Sequence, residues 1–232
     1  MSTRGGSSDG SGARELTRRV FFALWPDDSL RSAFAEASHE VARSIGGRLV
    51  SGNNLHVTLL FLGSVAEDRL TELEALAAEV AGTNVASTSE LFFNRIEHWK
   101  RPRVLVATAS PSAGVAVAGA LAAKLLEVSL GAGFTPDLKT LGLTGDSPPA
   151  PFRPHVTLAR KVPHPIPAVD IDPLRWGFTG FALVQSQRGR DGSEYSVMAT
   201  FPLQPGHESP GTLPNTDCSV PSGRKFEESG SS

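Results

Sequence analysis

The tetrapeptide His-Val-Thr-Leu occurs twice in this chain, as His56-Val57-Thr58-Leu59 and His155-Val156-Thr157-Leu158, 99 residues apart. Imidazole, with an ordinary pKa near 6.5, can take and give protons at neutral pH. A hydroxyl beside it can hold a phosphoryl oxygen. Each copy lies in a short apolar run that reads as a strand, NLHVTLLFL from Asn54 to Leu62, closed by Gly63, and HVTLAR from His155 to Arg160. Side chains alternate along a strand, so His56 and Thr58 share one face while Leu55, Val57, Leu59 and Phe61 share the other. His155 and Thr157 are set against Val156 and Leu158 in the same way. One H-x-T is weak evidence, because a lone strand histidine is usually a structural hydrogen-bonding group. Two copies facing one cleft supply acid–base phosphoryl chemistry: one imidazole activates water, the other protonates the leaving oxygen, and the hydroxyls hold non-bridging oxygens.

The elements that must position these residues are legible as hydrophobic patterns. Arg19 to Pro26, RVFFALWP, reads as a buried strand stopped by proline. Asp27, Asp28 and Ser29 offer an N-cap to a helix that runs to about Ile45 and is ended by Gly46 and Gly47. Val65 to Val80 has Leu70, Leu73, Leu76 and Val80 at helical spacing. Strands follow at Glu90 to His98 and Arg103 to Ala109, then an Ala/Leu/Val-rich helix from Ser112 to Leu130, a Gly/Pro-rich connection, and a hairpin of Gly177 to Gln187 with Ser193 to Leu203. This is an α+β pattern with two comparable lobes. The Gly/Ser-rich ends, residues 1–17 and 204–232, are expected to be disordered tails around a folded region spanning 18–203.

Composition excludes several classes. A net charge of -2 and a pI near 6.3 do not suit a protein that coats nucleic acid through bulk electrostatics, so any RNA site must be a local patch. No stretch approaches the roughly 18 to 20 uninterrupted apolar residues of a membrane span, and the chain reads as cytoplasmic. The single cysteine, Cys218, builds neither an internal disulfide nor a thiolate metal site. His39 and His164 have no partners at metal-ligand spacing, and no phosphate-binding G-x-x-x-x-G-K-[ST] loop occurs. His98 reads as a solvated strand-end histidine. Trp99-Lys100-Arg101 has the aromatic and cationic chemistry that stacks bases, and Phe152 and Arg153 lie just before the second motif.

With their flanks, these motifs resemble the 2H phosphoesterase superfamily, and within it the bacterial RNA 2′,3′-cyclic phosphodiesterases, historically called 2′-5′ RNA ligases. NLHVTLLFLGSV and PFRPHVTLAR resemble the family's two motifs. RVFFALWP, PRVLVA and SEYSVMATFPL resemble its opening, central and closing strands. The resemblance implies a two-lobed α+β fold with two antiparallel sheets facing a central groove, helices outside, and no metal or other cofactor. It implies catalytic roles for His56 and His155, phosphate contacts from Thr58 and Thr157, and a phosphate-neutralising Arg160. Strict alternation puts Arg160 on the face opposite His155, so the strand must end or bulge for it to reach the groove. The activity implied is hydrolysis of RNA 2′,3′-cyclic phosphate ends to 2′-phosphates by a monomer, with His56 as acid and His155 as base or the reverse. The alternatives are another 2H reaction, either 2′-5′ RNA joining or cyclic-nucleotide opening, and a non-catalytic nucleotide-binding module.

Overall fold

A computed structural model describes residues 16–83, 87–137, 151–189 and 192–205. Most of both expected tails, Cys218, and most of the Gly/Pro-rich connection before the second motif lie outside the described residues.

The element order is β1 (Thr17–Leu24), α1 (Asp28–Ile45), β2 (Arg48–Leu49), β3 (Val57–Ala66), α2 (Leu70–Ala81), β4 (Ser89–Trp99), β5 (Val104–Ala109), α3 (Ala113–Gly131), β6 (His155–Arg160), β7 (Val169–Phe178), β8 (Gly180–Gly189) and β9 (Gly192–Pro202). The strand pairings within the sheet are antiparallel, in the order β7-β4-β5-β6-β3-β1-β8-β9, with β2 added to β6. The expected α+β architecture is present, with the two expected antiparallel sheets joined into one continuous sheet. Its two four-stranded halves meet at a single pair of residues, Val57 opposite Val156.

Local chemistry explains the helices. Asp27 caps α1 by accepting from the Leu30 amide at 2.8 Å, and Ser112 caps α3 by accepting from Val115. The helix expected over Val65 to Val80 begins at Leu70, because β3 continues through Gly63, at φ +78, to Ala66. Leu70, Leu73, Ala77 and Val80 are its buried stripe. α3 is long and apolar enough by length and composition to cross a membrane, which the sequence reading did not anticipate. Here it lies on β3 and β4 with Ala118, Leu121 and Leu125 buried, and it carries a Lys124–Glu127 ion pair. Gly114 is required where α3 crosses β4, since a Cβ there would sit 1.7 Å from the Glu90 carbonyl oxygen.

The strand β7 has no counterpart in the sequence reading. It carries Pro173, which is tolerated because β7 is an edge of the sheet and its pairing with β4 skips that residue, so a missing N–H costs no ladder bond. The main core fills the helix side of the sheet, and a smaller cluster of Phe21, Ala23, Ala182 and Val184 lies on the other side with Trp25, Phe61 and Tyr195 packed against it.

Candidate active site

Val57 and Val156 are completely buried and point into the core. Alternation therefore turns His56, Thr58, His155 and Thr157 onto the opposite face. Because the strands run antiparallel through the Val57–Val156 pair, the register sets His56 across from Thr157 and Thr58 across from His155. His56 and His155 are close enough for their charges to interact, and the Thr58 hydroxyl bonds the His56 ring, whereas the cleft lined by His56 and Thr58 does not include His155 or Thr157.

Both motifs then break alternation at the same place. Against β1, Ala23 pairs with Thr58 and Phe22 with Leu60, leaving Leu59 as an extra residue. Against β5, Val106 pairs with Thr157 and Leu105 with Ala159, leaving Leu158 as the extra residue. Each bulge buries two successive side chains, Leu59 with Leu60 and Leu158 with Ala159. The next residue is consequently turned back to the groove: Phe61 in the first motif and Arg160 in the second. Both line a cleft of about 1020 Å³ that includes His56 and Thr58. Phe61 was expected on the core face, and the bulge at Leu59 is the reason it is not.

The histidines are held alike. His56 Nδ1 lies 2.7 Å from the Asn54 carbonyl oxygen and His155 Nδ1 lies 2.9 Å from that of Arg153. A carbonyl only accepts, so each Nδ1 carries the proton and donates it, and the neutral ring keeps Nε2 as its acceptor. The Thr58 hydroxyl is 3.0 Å from His56 Nε2 and donates to it in this tautomer.

Their surroundings differ. His56 is walled by Phe21 at 4.9 Å between ring centroids, Tyr195 edge-on at 5.2 Å and Trp25 stacked at 5.9 Å. Burial pushes its pKa down to about 4, the Arg160 and His155 charges add to the shift, and the Asn54 carbonyl opposes it. His155 is lowered for the same first reason, burial, with Arg153 and Arg160 adding and the Arg153 carbonyl opposing. Its ring packs on Trp99 at 4.5 Å. Glu97 joins this wall together: it accepts from Trp99 Nε1 at 3.2 Å and pairs with Arg153 at 3.1 Å, and Arg153 lies over the Trp99 ring. Partial burial by itself would raise the Glu97 carboxyl, but the Trp99 indole and the Arg153 and Arg95 guanidinium groups together hold it below the usual carboxylate range.

Of the other residues singled out from the sequence, Trp99 and Arg153 belong to the site, and Phe152 packs against the core and over Gly119. His98 does not belong to it. Its register partner Leu105 is buried in the core, and both His98 ring nitrogens are shielded from solvent and unpartnered, so it is not the solvated histidine expected. Tyr195, Phe21 and Arg48, which line the groove, Trp25, which stacks on His56, and Glu97, which bonds Trp99 and Arg153, went unrecognised in the sequence, because each comes from an element whose own spacing says nothing about histidine. Among the described residues no group of three or more His, Cys, Asp or Glu side chains could hold a metal ion. A second cavity of about 720 Å³, lined by Trp25 among others, lies between α1 and the β7–β8 turn and contains no histidine.

The fold and the paired histidines define a phosphoesterase of the two-histidine type. Residues 24–106 match the LigT like Phosphoesterase family, a span that holds the first motif but not the second. A curated RNA 2′,3′-cyclic phosphodiesterase of Thermus thermophilus is 32% identical over 210 residues, 86% of this chain and 100% of the relative. One of Archaeoglobus fulgidus is 40% identical over 62 residues, 27% of this chain and 35% of the relative. A crystal structure of a T. thermophilus protein superimposes with a TM-score of 0.62 at 30% identity, over 82% of this chain and all of the other. E. coli LigT complexed with 3′-AMP has the same fold, with a TM-score of 0.61 at 24% identity over 82% of this chain and 99% of its own. The chain belongs to the LigT-like phosphoesterases of the 2H superfamily.

Proposed function

We propose that this protein hydrolyses RNA 2′,3′-cyclic phosphate ends to 2′-phosphates. The observation that carries the reading is the Val57–Val156 pair, which joins the two motifs at their middle residues, with the charges of His155 and Arg160 both felt at His56. The names of the two curated relatives support the substrate class.

In this reading the phosphorus sits between the Nε2 atoms. His155 Nε2 takes a proton from water as its oxygen attacks phosphorus in line with the 3′ oxygen. The bond from phosphorus to O3′ breaks, and His56 passes a proton from Nε2 to that oxygen. Thr58 and Thr157 donate to the non-bridging oxygens, and Arg160 meets their charge. Burial makes His56 costly to protonate in the free protein. An anionic phosphate beside it favours the charged ring, so the acid is armed where substrate is bound.

The test is to digest a 2′,3′-cyclic-ended oligonucleotide in EDTA and resolve the isomeric ends by chromatography. Exclusive 2′-phosphate is expected. Exclusive 3′-phosphate would refute the assigned leaving group, loss of activity restored only by a divalent ion would refute the metal-free chemistry, and binding without turnover would favour an idle module.

A further inference from the structure

The cleft carries more positive charge than one cyclic phosphate needs. Arg19, Arg48, Arg160 and Lys161 line it with only two carboxylates, Asp137 and Glu194, in a chain of net charge -2. Among the described residues none of these four cations is ion-paired, whereas Arg18, Arg69, Arg95, Arg153 and Arg175 each bond a carboxylate. A cyclic phosphodiester bears a single charge, which Arg160 already answers. Arg19 is engaged over the Phe61 ring at 4.8 Å. Arg48 and Lys161 are the surplus.

Their placement is specific. β3 and β6 touch only at Val57 and Val156 and then part, and β2 fills the space beside β6 with Arg48 directly opposite Arg160. Opposed residues of an antiparallel pair project to the same face with Cα atoms about 5 Å apart. The Arg48 guanidinium reaches across to the β8–β9 hairpin at Gly192. The guanidinium lies close against the hairpin backbone there, since a Cβ at Gly192 would come within 3.1 Å of Nη2 and 3.3 Å of Nη1. Like charges set opposite each other destabilise the folded chain. An anion bridging them reverses that cost, and two cations on adjacent strands suit two successive phosphates of one nucleic-acid strand.

We propose that Arg48, with Lys161, forms a second phosphate site beside the scissile one, and that it takes the phosphate on the 5′ side of the terminal nucleotide. The cleft then selects a cyclic-ended oligonucleotide over a mononucleotide. This rests on the hydrolase reading above and adds the residues that read the chain.

The experiment compares kcat/KM of the wild type and Arg48→Gln on three substrates: a nucleoside 2′,3′-cyclic phosphate, the same nucleotide carrying a 5′-phosphate, and a trinucleotide with a cyclic end. For the wild type we expect the last two to exceed the first by about tenfold or more. Arg48→Gln should erase most of that advantage through KM, with a loss on the trinucleotide at least about tenfold larger than on the bare nucleotide. The slope of log kcat/KM against log salt for the trinucleotide should flatten by about 0.7, the value for one single-strand phosphate contact. Turnover of the bare nucleotide with no gain from added phosphate would overturn this proposal alone. A gain from the trinucleotide without one from the 5′-phosphate would also overturn it, by moving the selectivity to bases or sugars. No turnover of any of the three would remove the hydrolase reading and this proposal with it.

Discussion

Val57 and Val156, the middle residues of the two H-x-T motifs, are each other's only partners across the junction between β3 and β6. Both are completely buried, so one apolar contact at the centre of the sheet sets the register of both histidines and both threonines. The contact is packed by the same core that stabilises the fold, which ties the geometry of the site to the stability of the molecule.

That dependence is measurable. Val57→Ala and Val156→Ala each remove two buried methyl groups and should cost about 2 kcal/mol in denaturant unfolding. They should also lower kcat more than they raise KM, because the scaffold between the imidazoles loosens while the cations that bind phosphate remain. Unchanged turnover in a destabilised variant would separate the register from catalysis.

Arg160 reaches the groove through the Leu158 bulge, and its charge helps to lower both histidines. Arg160→Gln should therefore raise the titration midpoints of His56 and His155 in NMR while lowering kcat/KM by about a hundredfold, in line with the loss of a charge-stabilising donor. Arg160→Lys should restore the midpoints but only part of the rate, since an ammonium cannot bond bidentately. Midpoints that stay put in the glutamine variant would place the guanidinium away from the imidazoles.

The wall behind His155 gives a positioning prediction. Glu97 bonds Trp99 and Arg153, which respectively pack against the His155 ring and supply the carbonyl that holds its Nδ1. Glu97→Gln should change the melting temperature little, because the Arg153 end of the pair is exposed and a glutamine can still accept from Trp99 and Arg153. It should lower kcat several-fold with little change in KM. A change in stability without a change in kcat would make the contact merely structural.

How far this was legible in the sequence follows from what is local. The strands that carry the motifs, the cap at Asp27 and the helix from about Ser112 depend on neighbours in the chain, and they formed where expected, while the helix expected from Val65 began five residues later. The bulges did not announce themselves: Leu59-Leu60 and Leu158-Ala159 read equally well as alternating strand, and only pairing with β1 and β5 makes them bulges. The need for one at Arg160 was visible from alternation, whereas the need for one at Phe61 was hidden, since an apolar residue fits either face. β7 alternates apolar and polar residues, Val169 and Ile171, then Leu174, Trp176 and Phe178, but Pro173 interrupts the pattern and masks it, and Tyr195 and Trp25 meet His56 only through long-range folding.

Stability should fall with acid in a defined window. The unfolded chain protonates His56 near pH 6.5, and the folded chain resists until about pH 4. Between those values the unfolded state binds more protons, so stability is fully present above about pH 6.5 and declines as pH falls toward 4. The full span from His56 is about 3 kcal/mol. His56→Asn should flatten that part of the unfolding free energy measured from pH 4 to 7, and an unaltered slope would mean that the ring is not desolvated as its aromatic walls imply.

The most direct measurement of the central claim is the rate of His56→Ala, His155→Ala and the double variant on one cyclic-ended oligonucleotide, with folding checked by thermal melting. Two imidazoles acting on opposite sides of one phosphorus should each cost about 10² to 10⁴-fold when removed, and the double variant should be little slower than the poorer single because the two work as a unit. A single variant that keeps more than about a tenth of the activity, or a double variant whose loss equals the product of the two singles, would contradict a paired mechanism at this site.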